Sequence, residues 1–194
     1  MTTLITWHEN DPDQPLFHSS NRDDIRVELD LHGVRYEHHV PVTIDPSASS
    51  EDILQAHGEL VDAISTDENY VTVDIARLHP VDSDEWRSTA LAARQKFLNE
   101  HTHDDDEVRY FVDGSGIFYL HIGQKVHAVL CTAGDLLDVP ANTTHWFDMG
   151  SQPNFVAIRF FKVDDGWIGN FTGNDIASRF PDFDTISQSV AASA

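Results

Sequence analysis

Cysteine is nearly absent from this 194-residue chain, which has Cys131 and no other. That excludes an intramolecular disulfide framework and a four-cysteine zinc site. Positive charge is scarce too: 12 Lys and Arg stand against 33 Asp and Glu, for a formal charge of −21. The three lysines (Lys96, Lys125, Lys162) and the nine arginines are scattered. With no basic patch, such a surface repels phosphate backbones and anionic lipid heads, so neither nucleic acid nor membrane is an expected partner. No apolar run approaches the roughly 18 residues of a membrane span. Residues 1–16 show no basic segment followed by an apolar stretch, the pattern of a secretory leader. At 40% hydrophobic, the chain is too apolar for charge-extended disorder. The expectation is a soluble, acidic, cytoplasmic protein forming one domain over 1–194. No long hydrophobic seam suggests an obligate interface, so a monomer is expected.

Histidine is what the chain has in plenty. Its twelve histidines equal all Lys and Arg together. At neutral pH they are mostly uncharged and able to bind metal, so their spacing matters.

The first hundred residues read as mixed and helix-bearing. Ser19–Asn21 can cap a helix over Asp23–His32 that Gly33 stops, and Val34–Val40 reads as a strand ended by Pro41. Ser49–Asp52 starts a second helix, behind which Ile53, Leu54, His57, Leu60, Val61 and Ile64 repeat at helical spacing. A third runs from about Asp84 to Glu100, capped by Asp82 or Ser83. Beyond it come six short β-rich runs between Val108 and Phe161, with tight turns expected at Gly114–Gly116 and Gly123–Gln124. That pattern predicts an antiparallel sandwich or barrel. The chain thus divides into a helical and mixed part (about 1–100), a barrel core (about 101–162) and an extension (about 163–194). The small, polar tail from Ser187 is expected to fray.

Chemistry concentrates in His101-Thr-His103-Asp-Asp-Asp-Glu107. Histidines at i and i+2 share a face only on an extended chain. On a straight strand His103 and Glu107 would lie about 13 Å apart, so Asp104–Asp106 must form a turn or bulge if the glutamate is to meet the histidines. The competing reading is a solvated acidic loop holding two incidental histidines. A second segment, Gly134-x5-Pro140-x4-His145, places another histidine after a Pro-containing turn. With Gly114 seven residues after Glu107, the two segments resemble the paired motifs of the cupin superfamily. The resemblance implies a mainly β fold, a cupin-type antiparallel β-barrel (double-stranded β-helix or jelly roll), with helices of the N-terminal half packed outside. It also implies a metal held by three histidines and one carboxylate. The later motif usually has a second glycine where this chain has Asn142, and a terminal asparagine where it has Met149. Asn tolerates the left-handed conformation, so the turn is expected to survive.

Three imidazoles and a carboxylate suit Fe(II), Ni(II), Mn(II) or Co(II). Four protein ligands on an octahedral ion leave two positions, which invite a bidentate oxygen substrate such as an enediol. Strand alternation puts Arg109 and Phe111 on the face of Glu107, pairs Phe147 with His145, and groups Ala157, Arg159 and Phe161. Inward arginines in so acidic a protein are either substrate-binding cations or members of structural ion pairs.

The segment from His101 to Gly114 resembles the metal motif of the acireductone dioxygenase family. Leu16–Ser20, Gly33–Glu37, Ala157–Phe161 and the stretch from Gly166-Trp167 to Pro181 resemble other segments of that family. The resemblance implies one Fe(2+) or Ni(2+) per chain on His101, His103, Glu107 and His145. Its implied substrates are O2 and 1,2-dihydroxy-3-oxo-5-methylthiopentene, an intermediate of methionine salvage. Iron would give formate and 2-oxo-4-methylthiobutanoate; nickel would give formate, carbon monoxide and 3-methylthiopropanoate. Arg109 would stabilise the enediolate, Arg159 would be a second positive group, and Phe97, Phe147 and Trp167 would wall the methylthioalkyl tail. Glu100 and Asp106, beside ligands, would tune the site or lie in solvated loop. The residues also admit a cupin isomerase or epimerase using a redox-inactive metal, another cupin dioxygenase, or a metal-stabilised or sugar-binding cupin without catalysis. His121 and His127 read as core or surface, and Cys131 as a small buried hydrophobe.

Overall fold

One strand holds the architecture together. In the computed structural model, which describes residues 1–162 and 168–192, β-strands and helices follow in a single order. They are β1 (Thr3–His8), β2 (Asp11–Ser19), α1 (Arg22–Asp30), β3 (Arg35–His38), α2 (Ser50–Ala56), α3 (Gly58–Glu68), β4 (Thr72–Leu78) and α4 (Asp84–Phe97). Then come β5 (His101–Thr102), β6 (Glu107–Ile122), β7 (Lys125–Thr132), β8 (Asp135–Val139), β9 (Thr144–Asp148), β10 (Phe155–Phe161), β11 (Asn170–Phe171), a 3-10 turn (Ile176–Arg179) and α5 (Phe183–Ala192). The first half of β6 pairs with β8 and β10, and its second half with β7 and β9. It therefore belongs to two antiparallel sheets, ordered β11-β5-β9-β6-β7-β1-β2 and β4-β10-β6-β8-β3.

The crossing changes which residues point inward. Phe111 faces the inner core from the first half of β6, and Phe118 and Leu120 face it from the second. Odd positions give way to even ones because the register slips: Val156 opposes Asp113, but Ala157 opposes Phe111. Gly114, at φ +69°, carries the bend, and a Cβ there would lie 1.9 Å from the Asn154 carbonyl oxygen. Gly114–Gly116 is thus a corner inside one strand, where the sequence suggested a tight turn between two.

Both sheets feed one interior, with Val129, Cys131 and Phe147 from the first meeting Leu137, Val139 and Phe155 from the second. Helices α2 and α3 cover the outside of the second sheet, where Ile53 and Ile64 pack with Tyr110 and Phe160. Helix α1 goes further and contributes Ile25 and Leu29 to the inner core. The C-terminal elements cover the outside of the first sheet through Ile176, Phe180 and Ile186. The tail expected to fray is accordingly helical to Ala192. Buried Ile186, with Val190 one turn on, anchors it, and such a side chain contributes roughly 1.5–3 kcal/mol.

Local chemistry sets the helix limits. The Asn21 side chain accepts from the amides of Asp23 and Asp24 at the start of α1, and Ser49 and Asp52 form a capping box on α2. The single helix expected after Ser49 is two, because His57 leaves helical geometry at φ −108° and ψ 17° while its ring bonds the Ile53 carbonyl at 2.8 Å. Helix α4 stops at Phe97, short of Glu100, since the chain must extend for His101 to pair with His145. Strands β1, β2 and β4 add to the one strand expected in the first hundred residues.

Candidate metal centre

Three strands deliver the four candidate ligands. His101 and His103 lie on and just past β5, Glu107 opens β6 and His145 is on β9. The bend at Asp104–Asp105 returns the chain so that Glu107 meets the histidines, as the spacing required. His103 and Asn142 are held together by a 2.8 Å bond from the Asn142 amide to the His103 carbonyl. Asn142 itself sits at φ 63°, the left-handed turn expected of it.

All four side chains are buried, at 2–4% exposure. A ligand atom from each lies within 4.8 Å of all the others. Each ring is oriented by a carbonyl on its far nitrogen. His101 Nδ1 donates to Asn99 O at 2.7 Å, His103 Nδ1 to Ile168 O at 2.8 Å and His145 Nδ1 to Thr143 O at 2.7 Å. Rings so held, when neutral, turn bare Nε2 lone pairs towards the Glu107 carboxylate. Glu107 Oε2 is 2.8 Å from His145 Nε2 and 3.2 Å from His103 Nε2. Acceptors facing acceptors in a buried space repel unless a cation lies between them. The donor set of three imidazoles and one carboxylate fits a divalent first-row metal.

Burial and charge pull the site's groups in different directions. Burial holds the His101 imidazole at about 4, against the pull of the Asn99 carbonyl. Burial pushes His103 the same way, but the Glu107 carboxylate outweighs it and raises this ring. Burial also pushes the Glu107 carboxyl up, yet Arg109 and the two imidazoles hold it well below the usual range. Arg109 Nη2 bonds Glu107 Oε1 at 2.7 Å, and both side chains are buried. The Arg109 guanidinium lies 4.4 Å from the Phe147 ring centroid, 5.1 Å from Phe118 and 5.9 Å from Phe97. Phe97 and Phe147 were expected near the site; Phe118 was not, because the corner at Gly114 reverses which of its neighbours point inward.

The other expected residues divide. Arg159 lies opposite Arg109 in register, and also opposite Asp74 on β4. Its guanidinium grips Asp74 through two bonds of 2.7 and 2.5 Å, so it has the ion-pair partner that the sequence left open. Glu100 is 3% exposed rather than solvated: Oε1 accepts from His121 Nδ1 and Oε2 from Thr172 Oγ1, both at 2.6 Å. The second His121 nitrogen meets Glu9 Oε2 at 2.9 Å. Asp106 accepts from the Ala141 amide at 2.8 Å and Lys162 Nζ at 2.6 Å, tying the ligand turn to two distant loops. Cys131 is buried in the core and its thiol is pushed up by burial, as expected of an inert side chain. Trp167 lies outside the described residues. Sequence reasoning missed Phe171, whose ring centroid is 5.5 Å from that of His101, and the Ile168 carbonyl that orients His103. No residue type marks a carbonyl, so that signal was not there to read.

Comparison with known proteins gives the same picture. A family model described as the ARD/ARD' family matches residues 5–169. An acireductone dioxygenase of Frankia alni is 48% identical over 195 aligned residues, covering 100% of this chain and 95% of the relative. Another, of Saccharopolyspora erythraea, is 47% identical and covers 97% of this chain and 100% of its own. Among solved structures, the acireductone dioxygenase of Bacillus anthracis with a cadmium ion in its active centre aligns with a TM-score of 0.74. It is 26% identical and covers 88% of this chain and 98% of its own. Identity near one half, kept along the whole length, and a family match spanning both motif segments leave one conclusion: the chain belongs to the ARD/ARD' family.

Proposed function

We propose that this chain is a metal-dependent acireductone dioxygenase of methionine salvage. Its substrates are then O2 and 1,2-dihydroxy-3-oxo-5-methylthiopentene, giving formate and 2-oxo-4-methylthiobutanoate with iron. With nickel the products are formate, carbon monoxide and 3-methylthiopropanoate. The observation that carries this reading is the convergence of His101, His103, Glu107 and His145 beside a buried Arg109.

One Fe(2+) or Ni(2+) held by those four residues would supply Lewis acidity and open positions for a bidentate oxygen substrate. The chain's own groups do the rest. Arg109, permanently cationic and walled by phenylalanines, offers a fixed positive charge where the enediolate is negative, and the low dielectric strengthens it. Its bond to Glu107 fixes its direction in advance, so little reorganisation accompanies binding. Phe97, Phe147 and Trp167 are the proposed walls for the methylthioalkyl tail. Arg159 stands beside the pocket as a second cation, largely neutralised by Asp74. Glu100 and Asp106 act by holding the segments from which the ligands project. Among the described residues no helix is long and apolar enough to cross a membrane, and we take the working form as a cytoplasmic monomer.

The test is oxygen uptake by anaerobically generated substrate, with Fe(II)- and Ni(II)-loaded protein compared by product. Uptake with formate release supports the reading. No uptake with either metal removes it and favours an isomerase or epimerase.

A further inference from the structure

A second set of metal-binding side chains converges under helix α1, and the proposed reaction uses none of them. His127, on β7, is fully buried. Its Nδ1 lies 3.0 Å from Thr6 Oγ1, while its Nε2 has no hydrogen-bond partner among the described residues. The His32 ring packs against it with centroids 4.5 Å apart. One turn earlier, Glu28 places Oε1 3.9 Å from His32 Nε2. One ligand atom from each of the three residues lies within 4.8 Å of the other two.

An orphaned imidazole nitrogen in a protein interior is costly, so something must be offered to it. A proton does not fill that role. Burial, with His32 and Lys125 adding to it, holds His127 at about 3, and the ring is neutral at any physiological pH. A neutral imidazole with a bare nitrogen, a second imidazole and a carboxylate is a ligand set of the two-histidine, one-carboxylate kind. We propose that Glu28, His32 and His127 form a second cation site, which takes a divalent first-row metal ion. With no thiolate and a single carboxylate, the site selects against Cu(I) and against Ca(2+) or Mg(2+).

The geometry needs a small adjustment. Donors 2.0–2.1 Å from a tetrahedral ion lie about 3.3 Å apart, so the three groups must draw together by roughly an ångström. The side chains of His32 and Glu28 are 21% and 19% exposed and free to shift, whereas His127 is fixed in the core. The place is also distinct from the first site. His127 and His145 are both register partners of Leu120, one strand to either side, which separates their backbones by about 10 Å.

The experiment uses chelator-stripped full-length protein titrated with Co(2+), reading visible absorption and bound cobalt per chain. Wild type should saturate at two ions, His32→Ala at one, and His145→Ala at one with the absorption band that His32→Ala lacks. Glu28→Gln, an isosteric change at a partly exposed position, should weaken the second ion at least tenfold even if His32→Ala folds poorly. Saturation of wild type at one ion overturns the proposal. So does a second ion bound as tightly in Glu28→Gln as in wild type. Loss of both ions in His145→Ala would equally overturn it, because the two sites would not be separate.

Discussion

His145 and His127 lie on strands two apart and share Leu120 as register partner, so both rings face the same interior from opposite sides of one residue. The row continues on either hand, to His101 beyond His145 and to Thr6 beyond His127. A single line across the sheet thus carries two candidate ligands of the metal centre and one buried ring outside it. That difference in surroundings governs how each responds to substitution and to pH.

His127 predicts an acid sensitivity with a definite sign. Its folded pKa, about 3, lies below the ordinary imidazole value of 6.5, so its contribution to stability is complete above pH 6.5 and is lost as pH falls towards 3. Between pH 7 and pH 5 the loss from this ring should be about 2 kcal/mol. Urea unfolding of chelator-stripped protein at the two pH values measures it. His127→Gln should show a drop smaller by that amount, and an equal drop in both proteins would contradict the assignment.

The ligand set predicts loss of metal. His103→Ala or His145→Ala removes one of four donors and leaves the Glu107 carboxylate short of a neighbour. Each should lower affinity at the first site by well over the roughly 10–100-fold typical of supporting residues. Competition against a chromophoric chelator reads this directly; retention of wild-type affinity in both would sink the assignment.

Arg109 predicts a separation of binding from chemistry. Arg109→Ala should keep most of the metal, since all four ligands remain. It should also lose the ultraviolet shift that marks substrate dianion under anaerobic conditions. Turnover should fall about 10²–10³-fold, the usual cost of removing one preorganised charge-stabilising donor. An unchanged shift would return Arg109 to a structural role as the partner of Glu107.

Two backbone positions predict opposite tolerances. Gly114→Ala meets both a positive φ and the Asn154 carbonyl, so it should cost more than about 2 kcal/mol and disturb the β6–β10 register. Asn142 is also left-handed, at φ 63°. Asn142→Gly should be nearly neutral, and Asn142→Ala should cost about 1 kcal/mol. Denaturant midpoints of the three variants test this; equal midpoints would show that neither turn constrains the site.

The sequence announced the site more fully than the frame around it. Four ligand types at fixed spacing survive any uncertainty about element limits, because the chemistry constrains which residues must meet. Strand β2 carries Pro12 and Pro15 and is mostly exposed at a sheet edge, so neither alternation nor β propensity marks it. β1 is buried along nearly its whole length and so shows no period. The corner at Gly114 reads locally as a turn, and only pairing to β10 reveals it as continuous strand. Glu100 looked like loop because its partners, His121 and Thr172, are far away in sequence.

The carbonyl that turns His103 belongs to Ile168, and the hydroxyl on Glu100 belongs to Thr172, some seventy residues beyond the side chains they steady. During synthesis, His103 emerges long before the carbonyl that aims it, whereas the Asn99 carbonyl that aims His101 comes first. The full set of oriented donors is therefore completed late, by a chain already folded around the cavity, and not in the order in which the donors leave the ribosome.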